Sequence, residues 1–221
     1  MEITKTHHDS GTGIHTESIP VKTKEDFKVA QLIGDEMVEW LDKTNGSFDG
    51  QHKSALAIGH CQVVDHDHPW RMFVVDKDLL LPEKLDKDSK QNTMNSFFES
   101  RVIFNAEILE VPEKIEKEIP QRKVIKDPNN KLKVQVSVEI EKKEISNVIT
   151  VPEACMSFPK RKEKNMDRYY QIKVRYQYHK KTALGVRVKT FTGWVSSLKA
   201  HILQHEIDHF NGVNIYHGKQ A

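Results

Sequence analysis

The sequence predicts an α+β protein in which antiparallel sheets pack around a central, buried helix near the C-terminal end. Two observations favour this class. Several neighbouring segments alternate apolar and polar residues, as half-buried antiparallel strands do. The last helical segment is apolar over a broad arc, which is typical of a helix enclosed by other elements. An N-terminal helix and an inserted hairpin complete the expected architecture.

Length and charge narrow the range of functions. A chain of 221 residues fits one domain, with or without an insertion. Its 34 basic and 32 acidic residues give a net charge of only +2, which argues against specific nucleic-acid recognition and against binding to an acidic membrane. No run approaches the roughly 18 apolar residues of a membrane span. We expect residues 1–20 to be flexible and residues 21–217 to form one domain.

The first predicted element is an amphipathic helix that starts after Thr23. Asp26 stands three residues later, as in a weak capping box, and Asn45-Gly46 marks the end. Two strands should follow, a buried one at Met72–Val75 and another within Arg101–Leu109. The apolar residues that recur at helical spacing are Phe27, Ala30, Ile33, Met37, Trp40 and Leu41.

The middle of the chain predicts an insertion. Residues 110–133 are rich in mixed charges and proline, so they should form an exposed excursion. Residues 134–140 alternate Val and Ile with polar residues, which indicates a half-buried strand. An insertion over residues 110–148 accounts for both features. Two further alternating strands are expected around residues 170–178 and 184–190.

The last predicted helix runs from about Ser196 to Asn211, and Gly212 supplies the residue that closes it. It carries an HExxH motif, in which His205 and His209 project from one side of the helix and can reach one metal ion. Glu206 lies between them, where it can exchange protons with water. A chance motif on a surface helix is the alternative, but burying these groups without a role would be costly.

A catalytic zinc-type site uses three protein ligands, so one is missing from this helix. Metzincin proteases supply it through HExxHxxGxxH, but Ile215 stands where the third histidine belongs, and no acidic residue follows His209. The third ligand should therefore come from upstream. Cys155 is the best candidate, because a thiolate binds iron or zinc strongly. A buried structural cysteine is the competing interpretation.

Three segments together resemble the motifs of the peptide deformylase family, GxGLAAxQ, EGCLS and HExDH, in that order. Residues 205–209 fit the third motif fully. Residues 153–157 fit the second at its glutamate, cysteine and serine. Residues 55–62 fit the first loosely, with Gln62 in register but alanine in place of both glycines. The resemblance covers most of residues 20–216.

This resemblance implies that Cys155, His205 and His209 bind one divalent ion. The ion would be Fe²⁺ in cells, and Zn²⁺, Ni²⁺ or Co²⁺ could replace it in purified protein. Glu206 would act as general acid/base while water attacks the formyl group of an N-formyl-methionyl peptide or nascent chain and formate leaves.

The resemblance also assigns the groups around the reacting carbonyl. Gln62 and the backbone N–H of Met156 would stabilise the oxyanion, and the peptide would lie extended as an added strand. His201 is unusual because it places a polar ring where the family lines its methionine pocket, so the side-chain preference can differ. The residues expected to contact the peptide are Leu56, Ala57, Ala154, Arg168, Leu198, His201 and Ile202.

The implied enzyme is a monomeric cytoplasmic protein of a bacterium or of a phage-infected host cell. Its compact ending resembles phage-encoded members of the family, and its two cysteines indicate reduced thiols rather than a disulfide framework. The insertion is a candidate for contact with the ribosome, although a surface hairpin without function is the simpler interpretation.

Two alternatives stay open. A degenerate relative would bind metal or peptide without turnover; the loosened first motif favours this, whereas intact Gln62 and Glu206 oppose it. A zincin-like endoprotease would use the same helix, but the absence of a downstream ligand argues against it.

Overall fold

The structure, a computed structural model, describes residues 17–44, 55–63, 69–80, 97–126, 134–155, 157–158, 162–183, 185–216 and 218–219. The predicted flexible segment lies almost wholly outside these residues. The helices are α1 (Lys24–Thr44) and α2 (Ser197–Phe210). The strands are β1 (Ala57–Gly59), β2 (Met72–Val75), β3 (Val102–Glu110), β4 (Lys114–Lys126), β5 (Val134–Ser146), β6 (Val148–Glu153), β7 (Lys164–Tyr169), β8 (Gln171–Thr182), β9 (Gly185–Ser196), β10 (Val213–Asn214) and β11 (Gly218–Lys219).

The largest sheet among the described residues has five strands in the order β1-β2-β3-β8-β9 and is called the central sheet below. Three two-stranded sheets, β4-β5, β6-β7 and β10-β11, accompany it. Every pairing between these strands is antiparallel, which confirms the predicted α+β class. Neither described helix has the length and apolar character of a membrane span.

The central sheet is buried on both faces. Strand β2 turns Phe73 and Val75 toward the core that contains α2, and Met72 and Val74 toward the core that contains α1. This explains why β2 is a continuous apolar run rather than an alternating one. From α2 the first core receives Ala200, Ile202, Leu203, Ile207 and Phe210. From α1 the second core receives Phe27, Ala30, Met37 and Leu41.

The predicted start of α1 and the predicted end of α2 are confirmed by local geometry, whereas Asn45-Gly46, the predicted end of α1, lies outside the described residues. Thr23 Oγ1 accepts from the Asp26 amide (3.0 Å), and Asp26 Oδ2 accepts from the Thr23 amide (2.9 Å), which completes the capping box. At the end of α2, Gly212 adopts a φ of 70°, the left-handed conformation that closes a helix.

The predicted inserted hairpin corresponds to β4, which pairs antiparallel with β5, but two details differ from the prediction. The segment expected to be an exposed excursion contains β4, which pairs with β5 over thirteen residues. Pro120 lies within β4, and proline is tolerated there because both strands of a two-stranded sheet have a free edge. Ile140 is 65% exposed, so the expected half-burial fails at this position of β5. The insertion boundaries stay a prediction.

Strand β9 lies where a strand was predicted, but the exposure of its side chains differs from the prediction. The alternation at residues 184–190 predicts inward-facing side chains, yet Val186 and Val188 are 58% and 39% exposed. They pair with Lys181 and His179 near the C-terminal end of β8. Leu184 lies outside the described residues. Strands β6 and β7 were not predicted.

A lysine is buried on the sheet-facing side of α2. Lys199 Nζ donates to the Phe97 carbonyl (2.6 Å) and lies 3.5 Å from Glu99 Oε1, and Glu99 also accepts from the Tyr176 hydroxyl. Burial lowers the pKa of Lys199 to about 8, although Glu99 opposes the shift. Three rings lie 4.6–5.4 Å from the ammonium: Phe98, Tyr176 and Phe191.

This lysine predicts an unusual pH dependence of stability. Its folded-state pKa lies below that of the unfolded chain, so the unfolded chain binds more protons between pH 8 and 10.5, and stability rises with pH. Relative to Lys199→Met, the free energy of unfolding of the unmodified protein should increase by about 2 kcal/mol from pH 7.5 to 9.5. Urea unfolding of both proteins at both pH values measures this. If the difference in unfolding free energy between the unmodified protein and Lys199→Met were the same at both pH values, the prediction would be contradicted. The raised pKa of Tyr176 opposes the trend only above pH 10.

Candidate metal centre

Helix α2 presents two imidazoles on one side. The rings of His205 and His209 are nearly perpendicular, with centroids 4.7 Å apart. The opposite side of the helix is fixed in the core by Leu203 and Phe210, both fully buried. The position of the rings therefore follows from helix geometry and from the packing of α2 against the sheet.

Cys155 reaches the same point from the loop after β6. Its Sγ lies 3.3 Å from Nε2 of His209, and the ligand atoms of Cys155, His205 and His209 all lie within 4.8 Å of one another. A tetrahedral ion with bonds of about 2.3 Å to sulfur and 2.0 Å to nitrogen holds these atoms roughly 3.5 Å apart. The structure thus brings the three predicted ligands together at a spacing that fits one ion.

The outer nitrogen of His205 is held by a carboxylate. His205 Nδ1 lies 3.1 Å from Glu153 Oε2, so the N–H points there and Nε2 is left for the metal. Arg168 donates to both oxygens of Glu153, at 2.6 and 2.9 Å, and to Asp208 at 2.6 Å. Burial acts to raise the pKa of Glu153, but Arg168 and His205 lower it to about 2, so this group stays ionised.

This arrangement changes the expected role of Arg168. The prediction places it against the bound peptide. In the structure its side chain is 7% exposed, and its guanidinium is engaged by two carboxylates behind the ligands. A guanidinium whose donors are engaged in buried ion pairs has few donors available for a bound peptide. Arg168 therefore belongs with the residues that orient His205.

The protonation of the site depends on the contacts between the Cys155 thiol and the two imidazoles. Burial acts to raise the pKa of Cys155, but the imidazoles of His209 and His205 hold it well below its usual range. Burial acts to lower the pKa of His205, yet its contacts with Cys155 and Glu153 raise it. Without metal the site therefore favours a thiolate beside a protonated imidazole, and metal binding would release a proton.

Glu206 is buried beside the proposed ligands. Its side chain is 2% exposed, and Oε2 has no hydrogen-bond partner among the described residues. Burial raises the pKa of this carboxyl. Oε2 lies 3.0 Å from the point that a Cβ on Gly59 would occupy, so the glycine leaves room for the carboxylate at the end of β1. A buried acceptor left open in this way suits a water molecule or substrate.

Gln62 lies at the same point, in a buried turn after β1. Its Oε1 accepts from the Gly59 amide (2.6 Å), while Nε2 donates to Ser157 Oγ (2.9 Å) and lies 3.7 Å from Cys155 Sγ. An amide donor is therefore fixed next to the sulfur. Met156, the other predicted oxyanion donor, lies outside the described residues.

The predicted peptide contacts are distributed around this centre. Leu56 is 45% exposed, and Ala57 starts β1, the edge strand of the central sheet. Ala154 is exposed between β6 and Cys155. An edge strand beside an exposed loop is a suitable place for an extended peptide.

The three predicted pocket residues on α2 differ in environment. Leu198 is 43% exposed, whereas Ile202 is buried in the core. His201 is half-buried one turn before His205, and its Nε2 has no partner among the described residues. Burial lowers the pKa of His201, so the ring is neutral at pH 7.

Two contributors were missed from the sequence. Glu153 orients His205, and Ser157 accepts from Gln62, yet neither was assigned a role. The available signal was their place in the EGCLS-like motif, where both residues match on either side of the cysteine.

The Arg168 ion pairs give a stability prediction. Arg168→Met should lower the free energy of unfolding of the metal-free protein by about 3 kcal/mol, because Glu153 and Asp208 lose their cation. Arg175→Met is the matched control, since its pair with Glu107 is about half exposed and screened by solvent, so its loss should have a much smaller effect. Urea denaturation of both variants tests this, and equal effects would contradict it.

Comparisons with known proteins agree with this geometry. The sequence matches the polypeptide deformylase family over residues 1–220. No curated protein matches the chain in a sequence comparison. Among solved structures, the peptide deformylase from Thermotoga maritima is 19% identical, with a TM-score of 0.53 over 100% of both chains.

Two further solved structures show the same fold. The K3U-bound class I type b peptide deformylase from Acinetobacter baumannii is 17% identical, with a TM-score of 0.56 over 97% of both chains. The enzyme from the Vibrio parahaemolyticus bacteriophage VP16T, in complex with actinonin, is 18% identical, with a TM-score of 0.51 over 96% of this chain and 99% of that one. The family match, which spans nearly the whole chain, shows that this protein belongs to the polypeptide deformylases, metal-dependent enzymes that remove the N-formyl group from nascent peptides.

Proposed function

We propose that this chain hydrolyses N-formyl-methionyl peptides with one divalent ion held by Cys155, His205 and His209. The observation that carries the proposal is the meeting of these three ligand atoms beside the buried carboxyl group of Glu206, whose Oε2 has no hydrogen-bond partner in the part of the chain that the structure describes. A thiolate with two imidazoles accepts iron, zinc, nickel or cobalt, and we propose Fe²⁺ as the ion used in cells. When bound, the ion supplies Lewis-acid chemistry, which polarises a carbonyl and makes water a better nucleophile at neutral pH.

Glu206 moves the proton in this proposal. Its open Oε2 takes a proton from the attacking water and then delivers it to the nitrogen of the departing amine, so the peptide leaves with a free N-terminus and formate is released. Burial raises the pKa of this carboxyl, which makes it a better proton acceptor than an exposed carboxylate and favours its role in this cycle.

In this proposal, Nε2 of Gln62 donates a hydrogen bond to the oxyanion that forms from the formyl oxygen. The Gly59 amide holds the amide oxygen and Ser157 accepts from one N–H of Nε2, so the group is fixed in place. The second N–H, which lies toward the Cys155 sulfur in the structure, would donate to the formyl oxygen as negative charge develops there. The Met156 backbone N–H is proposed as the second donor. The peptide would run along β1 near Leu56 and Ala57 and past Ala154, as an added strand.

We further propose that the enzyme acts as a monomer in the cytoplasm, where formylated nascent chains are made. Contact with the ribosome through the β4-β5 hairpin is a prediction that rests on the exposed charged side chains described on it, such as Lys114, Glu116 and Lys142.

Formate release from formyl-Met-Ala-Ser by the iron-loaded protein tests the activity. Glu206→Ala should lower kcat by roughly 10²- to 10⁴-fold while metal content is unchanged, because the residue handles protons rather than metal. Glu116→Gln, on the exposed hairpin, is the control and should retain full activity. If the protein binds metal but releases no formate from any formylated peptide, the result would instead support a degenerate relative without turnover. If it cleaves casein, the result would support an endoprotease.

His201 gives a second prediction about the substrate. A neutral ring beside the site offers one N–H to the first side chain, and a thioether sulfur is a weak acceptor whereas a methylene is not. His201→Leu should therefore lower the preference for formyl-methionyl over formyl-norleucyl peptides, by roughly 3- to 10-fold in the ratio of kcat/KM. An unchanged ratio would place His201 outside the pocket.

A further inference from the structure

The loop that carries Cys155 is packed against the segment that follows α2. Cys155, Phe158 and Ile215 form a small core of their own, with exposures of 2%, 4% and 3%. Met166 and Tyr216 cover it. The rings of Phe158 and Tyr216 meet edge to face, with centroids 5.1 Å apart.

Hydrogen bonds fasten the same two segments at separate points. The Tyr216 hydroxyl donates to the Lys162 carbonyl (2.8 Å), and Lys164 Nζ donates to the Ile215 carbonyl (2.7 Å). Within the loop, the Phe158 amide donates to the Cys155 carbonyl (2.9 Å). The segment formed by Ile215 and Tyr216 is called the latch below.

The latch matters because the three proposed ligands are positioned in different ways. His205 and His209 lie on one rigid helix, so their spacing is set by helix geometry. Cys155 lies in a loop, and its place relative to the helix depends on what holds that loop. The latch follows α2 after only four residues, Asn211, Gly212 and the two residues of β10, so it links the loop to the helix that carries the histidines.

We infer that Ile215 and Tyr216 are positioning residues, which hold the Cys155 sulfur at bonding distance from an ion on His205 and His209. This inference rests on the proposed role of Cys155 as a metal ligand. Neither latch residue touches substrate or metal, and both act through the loop.

Cobalt-loaded protein tests the inference without any activity measurement. Tyr216→Ala should weaken Co²⁺ binding by about 10- to 100-fold in competition with a chelator, and should reduce the sulfur-to-cobalt charge-transfer absorption. Tyr216→Phe keeps the ring contact with Phe158 and loses one hydrogen bond, so its affinity should fall by less than about tenfold. Should Tyr216→Ala fail to fold, Tyr216→Leu serves the same comparison.

Trp40→Ala is the matched control, because Trp40 is also a partly buried aromatic residue but packs on the α1 core. It should lower stability and leave cobalt affinity and the charge-transfer absorption unchanged. Equal cobalt affinity and absorption in Tyr216→Ala and the unmodified protein would overturn the latch. A Cys155→Ser variant separates the two claims: if it keeps the charge-transfer absorption, the proposed ligand role fails first.

Discussion

Desolvation of ionisable groups around one point constrains this structure more than any other feature. A thiol, a carboxyl and the imidazole of His209 lie out of water between α2, the end of β1 and the loop after β6, and the imidazole of His205 is only 15% exposed. An isolated charge in such a place would cost several kcal/mol, a large share of the stability of a domain. The groups can share this volume only because opposite charges adjoin, with the thiolate of Cys155 against His205 and His209. A divalent cation would complete this compensation, and Glu206 supplies an open acceptor beside it.

The fold meets the constraint by drawing the site from three distant stretches of chain. The central sheet supports α2 on one face and ends in the Gln62 turn. The β6-β7 sheet brings Glu153 and Arg168 behind His205, so the orienting carboxylate stays ionised in a buried position. Because each stretch is fixed by its own core, a substitution far from the ligands can still change how they meet.

Much of this could be predicted where the signal was local. Helical periodicity gave α1 and α2, and the capping residue Thr23 and the closing Gly212 gave their ends. The HExxH spacing alone indicated a metal, because residues four apart on a helix share a side. Cys155 needed the resemblance of three ordered motifs, since no local pattern distinguishes a ligand from a buried structural cysteine.

The failures share a different physical origin. The inserted hairpin was predicted, but Pro120 concealed the strand β4 within it. The exposure of Val186 and Ile140 depends on how far a strand extends beyond the elements that pack on it. The partners of Arg168 depend on which carboxylates the fold brings within reach, and sequence spacing does not encode that. Sequence therefore predicted which of the proposed ligands lie together better than the residues that hold them in place.

X-ray absorption at the metal edge of the iron- or zinc-loaded protein tests the central claim most directly, because it detects the atoms bound to the ion. If Cys155, His205 and His209 hold the ion, the spectrum should fit one sulfur at about 2.3 Å and two imidazole nitrogens at about 2.0–2.1 Å, and Cys155→Ser should remove the sulfur. A spectrum that contains only nitrogen and oxygen neighbours in the unmodified protein would contradict the proposed metal centre and the function built on it.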